Sequence, residues 1–239
     1  MKKLYYSGQQ NFTSDLMLPP IPASKDVPKW FKDIPKTTES KLGKSDQFTY
    51  INANSCMPFL DSFTSGYLIR LHCDMYISPV EGYPARISWN PVEGNAEAFQ
   101  PIKQRPSEVH GSYLATPAGH EPHAFDWLIK WNFKAPKGYS LLMTHPFNRV
   151  DLPFTSATAI MDADDWGLAG THSFWLREGF EGLIPAGTPL VQVLPILRED
   201  WVLEENSSLI NESKILDTKK QFKFTGYYRD NFWKKKSYN

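Results

Sequence analysis

The sequence has little cysteine, no long apolar run and no excess of charge of either sign. Cys56 and Cys73 are the only cysteines, which is too few for a disulfide framework and favours a reducing cytosol. No stretch approaches the roughly 18 apolar residues of a membrane helix, and the first residues carry lysines without the apolar stretch of a secretory signal. Lys+Arg and Asp+Glu balance at 26 each, so the overall charge predicts no polyanionic partner. These absences predict a protein of the cytoplasm with no membrane segment.

Proline, glycine and aromatic residues, by contrast, are plentiful. The 239 residues include 19 Pro and 14 Gly, which indicate many turns and argue against a helix-rich fold. Eight Trp, eleven Tyr and fifteen Phe contribute to an apolar content of 41%, which is enough for a sizeable core. The composition therefore predicts a mostly β protein with little helix.

Residues 1–46 have the composition of an extended arm. Five prolines between positions 19 and 35 favour an extended path without ladder hydrogen bonds. Trp30 and Phe31 lie among these prolines. Two arrangements are open: the arm either lies over its own domain, pinned by the two rings, or grips a neighbouring subunit.

Residues 201–239 form a C-terminal extension that ends in a basic and aromatic tail. Residues 219–239 contain seven basic and seven aromatic residues against one acid, Asp230. This composition is typical of a binder of single-stranded nucleic acid, and also of an arm that docks on an acidic, partly apolar protein. The protein partner is favoured, because aromatic residues at this density usually need burial.

Residues 47–200 carry the strand patterns of a β domain. Three turn-and-strand segments organise it, and each joins a Pro/Gly turn to an apolar run of strand length. These segments are residues 135–146, 159–167 and 182–196. Pro185 and Pro189 exclude a helix in the third segment.

Two further patterns in this domain predict strands. Apolar side chains alternate along residues 125–131, so they fall on one strand face. The side chains of this row are Phe125, Trp127, Ile129 and Trp131. The row is predicted to be core, with a stacking platform for bases as the alternative, while Asp126 and Lys130 fall on the exposed face. Met57–Asp61 is apolar with an early proline, which predicts a strand at a sheet edge.

His120 and His123 invite interpretation as a metal site. Pro122 lies between them, so the helical zinc motif is excluded. A loop site would need a third ligand from His110, His145 or His172. Histidines in a Gly/Pro turn more often bond to backbone or face solvent, so the sequence predicts no metal site.

The three segments also resemble a known enzyme group in their order and spacing. Pro136-Lys137-Gly138-Tyr139, then Asp162, then Gly187 to Gln192 follow one another as do the motifs of trimeric dUTPases and dCTP deaminases, and residues 64–69 stand at the place of the first motif. The resemblance implies a β-clip barrel or sandwich with extended N- and C-terminal arms. It also implies a homo-oligomer, as a trimer or ring.

The whole chain also resembles a family of tailed-phage proteins of unknown role. Shared marks are the opening Pro20-Ile21-Pro22-Ala23, the Pro28-Lys29-Trp30-Phe31-Lys32 motif, the Met57–Asp61 segment and the closing Pro185 to Pro195. This likeness implies a protein of the infected host cytoplasm or of the virion. Its arms would contact other phage proteins, and residues 219–239 could contact nucleic acid.

The residues that carry catalysis in the enzyme group are mostly missing here. Leu68 stands where the first motif has its Asp, His145-Pro146 where the second has an Arg-Ser pair, and Asp165 where the third has its Tyr. The resemblance therefore implies a virion assembly, structural or binding protein with a catalytically degenerate fold and no cofactor. The alternative is a nucleotide-binding protein or a dUTPase-like hydrolase, and the hydrolase would have Asp162 as a catalytic residue and Mg²⁺ as the cofactor.

The sequence predicts one small-molecule site, where the three turns converge. Backbone N–H groups of the Gly/Pro turns would cradle an anion, Asp162 would order a water or a sugar hydroxyl, and Tyr139 or Trp166 would stack on a base. The candidate ligand-binding residues are Gly138, Tyr139, Asp162, Trp166, Gly187 and Gln192.

Overall fold

The structure, a computed structural model of the chain, describes residues 2–9, 17–42, 46–80, 83–89, 100–104, 114–167, 170–221 and 226–239. The strands within these residues are β1 (Tyr5–Gly8), β2 (Ile21–Pro22), β3 (Thr37–Leu42), β4 (Asp46–Ile51), β5 (Tyr67–Arg70), β6 (Met75–Val80), β7 (Tyr83–Trp89), β8 (Ile102–Gln104), β9 (His120–Leu128), β10 (Trp131–Lys134), β11 (Tyr139–Thr144), β12 (Phe154–Ser156), β13 (Ala159–Met161), β14 (Thr171–Arg177), β15 (Gly182–Ile184) and β16 (Pro189–Leu197). The α-helices are α1 (Lys29–Lys32), α2 (Met57–Thr64), α3 (Leu209–Gln221) and α4 (Tyr227–Asn231).

These strands form five sheets. The largest has the order β13-β11-β16-β5-β2, and the second has the order β12-β14-β9-β8. A three-stranded sheet, β15-β6-β7, and the pairs β1-β10 and β3-β4 complete the set. Every pairing between the described strands is antiparallel, and none of these sheets closes into a barrel. The predicted mostly β fold is confirmed.

One buried cluster joins the two largest sheets. The indole of Trp127 on β9 stacks on Phe174 of β14 with 3.6 Å between ring centroids, and Phe154 on β12 meets it edge-on at 4.9 Å. Trp127 Nε1 donates a hydrogen bond to Ser156 Oγ at 3.0 Å, and Ser156 Oγ donates to the Leu190 carbonyl of β16 at 2.7 Å. This satisfied polar link fastens one sheet to the other inside the apolar core.

The predicted row along residues 125–131 is confirmed as core. Its four buried side chains are Phe125, Trp127, Ile129 and Trp131. The prediction for the opposite face is wrong at Asp126, which is buried and accepts a hydrogen bond from Ser173 Oγ at 2.8 Å. Because β9 lies between β14 and β8, a serine on the neighbouring strand can satisfy a carboxylate that solvent does not reach.

The predicted strand at Met57–Asp61 is wrong, because these residues open the helix α2. Pro58 lies in the first helical turn, where its missing N–H loses no hydrogen bond. Leu60 and Phe63 are three residues apart and therefore share one helix face. Phe63 is buried, with its ring centroid 4.2 Å from that of Phe31.

The described parts of the N-terminal arm lie on their own chain. β1 pairs with β10 and β2 pairs with β5. Trp30 and Phe31 lie in α1, a single helical turn rather than an extended path, and the Trp30 ring meets Phe63 edge-on at 5.8 Å. These contacts pack the described parts of residues 1–46 on residues of the same chain.

The end of the C-terminal tail also folds back on its own chain. Trp233 Nε1 donates a hydrogen bond to Asp61 Oδ2 at 3.0 Å, and Lys236 Nζ donates to the same oxygen. The ring of Tyr238 lies edge-on to Tyr67 at 5.8 Å. Between β16 and this docked end lie an exposed segment and the exposed helix α3. In the part of the chain that the structure describes, no helix has the length and apolarity to cross a membrane.

Gly66, between α2 and β5, gives a test of the packing. Its φ is +74°, and an added Cβ would lie 2.2 Å from the Val193 carbonyl oxygen. We expect Gly66→Ala to lower the free energy of unfolding by about 3 kcal/mol or more, because backbone strain and a steric clash add. Urea unfolding followed by circular dichroism measures the loss.

Gly119→Ala is the matched control, because Gly119 has the same φ of +74° and no atom within 4 Å of an added Cβ. It should cost only the left-handed backbone penalty of about 1 kcal/mol. Equal losses for the two variants would show that close approach to β16 is not what requires a glycine at position 66.

Candidate binding site

Two turns and a strand end meet at one end of the five-stranded sheet. The antiparallel register places Tyr139, the first residue of β11, opposite Leu197, the last residue of β16. The backbone N–H of Arg198 donates to the Gly138 carbonyl at 2.8 Å. β13 pairs with the other edge of β11, and the turn that follows it begins with Asp162. The sheet thus brings the residue 136–139 turn, the acidic turn and Arg198 together.

Arg198 binds both acidic side chains at the start of this turn. Its Nη1 donates to Asp164 Oδ1 at 2.8 Å and lies 3.0 Å from Asp162 Oδ1, while its Nη2 donates to Asp164 Oδ2. The backbone N–H of Gly138 donates to Asp164 Oδ2 at 2.8 Å, and Ser140 Oγ donates to Asp162 Oδ1 at 2.6 Å. Two-point binding of a guanidinium to a carboxylate is the strong form of an ion pair.

These contacts stabilise the ionised forms of both carboxyls and the protonated form of Arg198. The Arg198 guanidinium and the Gly138 N–H lower the pKa of the Asp164 carboxyl from 3.8 to about 2. Ser140 and then Arg198 lower the pKa of Asp162, and the two carboxylates raise the pKa of Arg198. A divalent cation at this turn would therefore have to displace Arg198 from both acids.

Two lysines bind the same end of the sheet. Lys134 Nζ donates to the backbone carbonyl of Asp164, and Lys2 Nζ donates to the Tyr139 hydroxyl. Lys2 Nζ also lies 4.2 Å from the Tyr139 ring centroid, and Tyr139 packs against the core from a half-buried position. Of the two rings predicted to stack on a ligand, Trp166 is the exposed one.

Trp166 borders an open groove of about 430 Å³. Tyr5 and Tyr6 of β1 form its other wall, and Lys134 and Asp165 also line it. Trp166 is 63% exposed, Tyr5 62% and Tyr6 49%. The groove therefore presents three large aromatic side chains to solvent beside the Arg198 cluster.

The third predicted turn lies at the other end of the sheet, so the predicted convergence of three turns is wrong. Gln192 pairs with Thr144, whereas Tyr139 pairs with Leu197, and five strand residues span about 17 Å. Gly187 lies farther still, before β16 begins. The reason is strand direction, because β11 and β16 are antiparallel and the turns that lead into them lie at opposite ends.

Gln192 is buried, and its side-chain amide is fully engaged. Oε1 accepts a hydrogen bond from the Phe147 N–H at 2.8 Å, and Nε2 donates to the carbonyls of Ser62 at 2.9 Å and Ser65 at 2.6 Å. These bonds connect β16 to the C-terminal end of α2 and to the loop after β11. The structure thus gives Gln192 a structural role.

Three of the described histidines lie within hydrogen-bonding distance of neighbouring polar groups. His120 Nε2 lies 2.8 Å from Thr155 Oγ1, His145 Nε2 lies 3.0 Å from the Arg149 carbonyl, and His172 Nε2 lies 2.8 Å from the Ala157 carbonyl. Burial lowers the pKa of His145 and His172. The predicted third ligand His110 lies outside the described residues, and no group of three potential ligands within them is placed to hold a metal ion.

The sequence-based prediction missed Arg198, Tyr5 and Tyr6. Arg198 is the first polar residue after the third apolar segment, so its position at a strand end is a usable signal. No such signal existed for the tyrosines, because the pairing of β1 with β10 joins residues more than a hundred positions apart.

Comparisons with protein-family models, with curated proteins and with solved structures give no match for this chain. Any function assigned to it therefore starts from the residues at this end of the sheet.

The Arg198–Asp164 pair predicts a specific pH dependence. A carboxyl with a lowered folded-state pKa stabilises the fold above its unfolded value of 3.8, and loses that contribution as pH falls toward about 2. We expect Asp164→Asn to be less stable than wild type at neutral pH, and the gap to narrow between about pH 4 and pH 2. Thermal unfolding across this pH range measures the gap, with the exposed Asp165→Asn as the control.

Gln192→Leu tests the structural role of the amide. The substitution leaves an N–H and two carbonyls unpaired in the interior, so we expect it to cost about 3 kcal/mol of unfolding free energy. Gln104→Leu on β8 is the matched control, because Gln104 is exposed. A loss from Gln192→Leu no larger than that of the control in urea unfolding would contradict the role.

Proposed function

We propose that this is a tailed-phage protein with an assembly, structural or binding role, built on a dUTPase-like β-clip fold that has lost its catalysis. The observation that carries the proposal is the binding of Arg198 to both Asp162 and Asp164. The acidic turn that would hold Mg²⁺ and water in a hydrolase here neutralises an arginine of the same chain. The turn then stabilises a surface instead of performing a reaction.

Strand order supports the proposed fold. The segments that resemble the enzyme motifs lie on β5, β16 and β11 and in the turn after β13. These four strands are consecutive neighbours in one sheet, in the order β13-β11-β16-β5. Segments spread over about 130 residues of sequence thus belong to one sheet, although the turns before β11 and β16 lie at its opposite ends.

The positions that lack the enzyme residues also support the loss of catalysis. Leu68 is buried on β5, opposite Ile21 on one side and Gln192 on the other. The ring of His145 is held between the Arg149 carbonyl and the Ser156 N–H. Leu68 is thus buried at the position where the enzymes have an aspartate. His145 makes hydrogen bonds to the backbone at the position where they have an Arg-Ser pair.

The exposed surface suits an assembly role. Large apolar side chains are exposed at the aromatic groove, in the segment after β16 and along α3. Surfaces of this kind mark interaction sites. We assign them to self-association as a trimer or ring in the host cytoplasm or virion, and assign residues 219–239 to a further contact with another phage protein or with nucleic acid.

One observation favours a second candidate, a nucleotide-binding or nucleotide-hydrolysing protein. The groove beside Asp162 combines an exposed Trp166 with Lys134, a ring and a cation of the kind that hold a base and a phosphate. In this alternative Mg²⁺ would be the cofactor and Asp162 would take part in the reaction.

Two experiments separate these functions. The assembly role predicts that mass spectrometry of purified virions detects this chain, in amounts comparable with other structural proteins. It also predicts no turnover when the protein is incubated with dNTPs and Mg²⁺ and the products are separated by chromatography. Absence of the chain from virions, together with turnover above the blank, would reverse the assignment.

Asp162→Asn sharpens the second experiment. The side chain is 64% exposed, so the variant should fold and keep its stability within about 0.5 kcal/mol. Turnover by wild type that disappears in this variant would establish the hydrolase alternative. Nucleotide binding without turnover, measured by calorimetry, would instead identify a binding protein.

A further inference from the structure

A short segment after β16 exposes three consecutive large apolar side chains. Trp201 is 83% exposed, Val202 82% and Leu203 101%. The segment has no helix or strand structure. Apolar side chains in contact with water gain free energy when a partner covers them, and Trp is the residue most enriched at interface hot spots.

Acidic residues flank this apolar triplet on both sides. Glu199 and Asp200 precede it, Glu204 and Glu205 follow it, and all four are exposed. We name residues 199–205 the acidic strap. A surface that receives it must be apolar at its centre and basic at its rim.

The aromatic groove described above has this composition. Tyr5, Tyr6 and Trp166 form its apolar walls, and Lys134 lines it. Lysines are also close by along the chain. They are Lys2 and Lys3, just before β1, and Lys137, in the turn before β11. The groove itself contains one exposed acid, Asp165, while the neighbouring Asp162 and Asp164 bind Arg198.

The strand that forms one wall of the groove also offers a pairing edge. β1 pairs with β10 along one side, and no other described strand pairs with it. An edge strand presents unpaired N–H and C=O groups to an extended chain. The strap forms no helix, so its backbone N–H and C=O groups are not taken up by helical hydrogen bonds and can pair with such an edge.

The strap and the groove lie at the same end of the molecule. The strap begins immediately after Arg198, whose side chain binds Asp162 and Asp164. The same acidic turn continues into Asp165 and Trp166 of the groove. The strap nevertheless makes little contact with its own chain, as the full exposure of Leu203 shows. Two copies that meet at this end can therefore exchange straps.

From these observations we infer that the acidic strap of one copy docks in the aromatic groove of a second copy. Each copy donates one strap and accepts one, so the contact closes either as an exchange between two copies or as a ring of three or more. The inference rests on the proposed assembly function and names the surface that would carry it. Trp201 and Leu203 supply the buried anchors, while the flanking acids meet the lysines at the rim.

Light scattering after size-exclusion chromatography tests the inference. At about 100 µM, above the micromolar Kd of a weak interface of standard size, wild type should run at a multiple of the 27.4 kDa of one chain. The donor variant Trp201→Ala/Leu203→Ser should associate roughly 30-fold or more weakly, the loss expected of a hot spot. The acceptor variant Tyr5→Ala/Trp166→Ala should lose association to a similar extent.

Leu183→Ser is the matched control, because Leu183 is also an exposed leucine and lies outside the groove and the strap. A mixture of the donor and acceptor variants should regain association, since it contains one intact strap and one intact groove. A strap that docks on its own chain would give a monomeric wild type and no such recovery, which would overturn the inference.

A charge variant keeps the test decisive if an aromatic substitution disturbs folding. Glu204→Lys/Glu205→Lys changes only exposed side chains, and should weaken association about tenfold at low salt, with a smaller effect at high salt. If all of these variants remain oligomeric, the inferred strap–groove contact is wrong. That result would not contradict the assembly function. Absence of the chain from virions, together with dNTP turnover above the blank, would contradict the assembly function, whatever the strap does.

Discussion

The buried amide of Gln192 is the contact on which much of the chain's arrangement depends. It ties the middle of β16 to the end of α2 through two carbonyls, and to the loop after β11 through an N–H. The helix α2 in turn contacts α1 and the C-terminal tail, since Trp30 and Phe31 pack against Phe63 and Trp233 binds Asp61. A residue that pairs in a sheet thus also holds the helix on which α1 and the tail pack.

Arg198 organises the opposite end of the same strand. Its backbone bonds to the turn before β11 and its side chain to the turn after β13, so one residue joins three neighbouring strands. The arginine gives that end of the sheet a fixed cluster of one guanidinium and two carboxylates next to an aromatic surface. A hydrolase needs its carboxylates free for metal and water, whereas an interface needs them neutralised and fixed.

The periodicity of the sequence predicts features that depend on a single strand, such as which face is buried. It does not predict features that depend on the pairing of strands far apart in sequence. Phe125 and Trp127 alternate in sequence and are buried, because a strand face needs no information beyond its own spacing. The order of the motifs alone groups Gly187 and Gln192 with the Pro136 turn, but strand direction separates them. The motif match points to Asp162, although Asp164 has the stronger contacts, with a partner 34 positions along the chain. The pairing of Tyr5 with Lys134 was likewise invisible to local spacing.

The anchoring of Arg198 has a consequence for the exposed segment that follows it. A flexible tail samples many directions, and a partner must pay for ordering it. This segment leaves from a residue held by its backbone and by two carboxylates, so its first residues depart in a fixed direction. Folding has therefore already ordered part of the segment, which lowers the entropic cost of docking. A short apolar contact can then hold two chains together, whereas a free peptide of the same sequence would bind weakly.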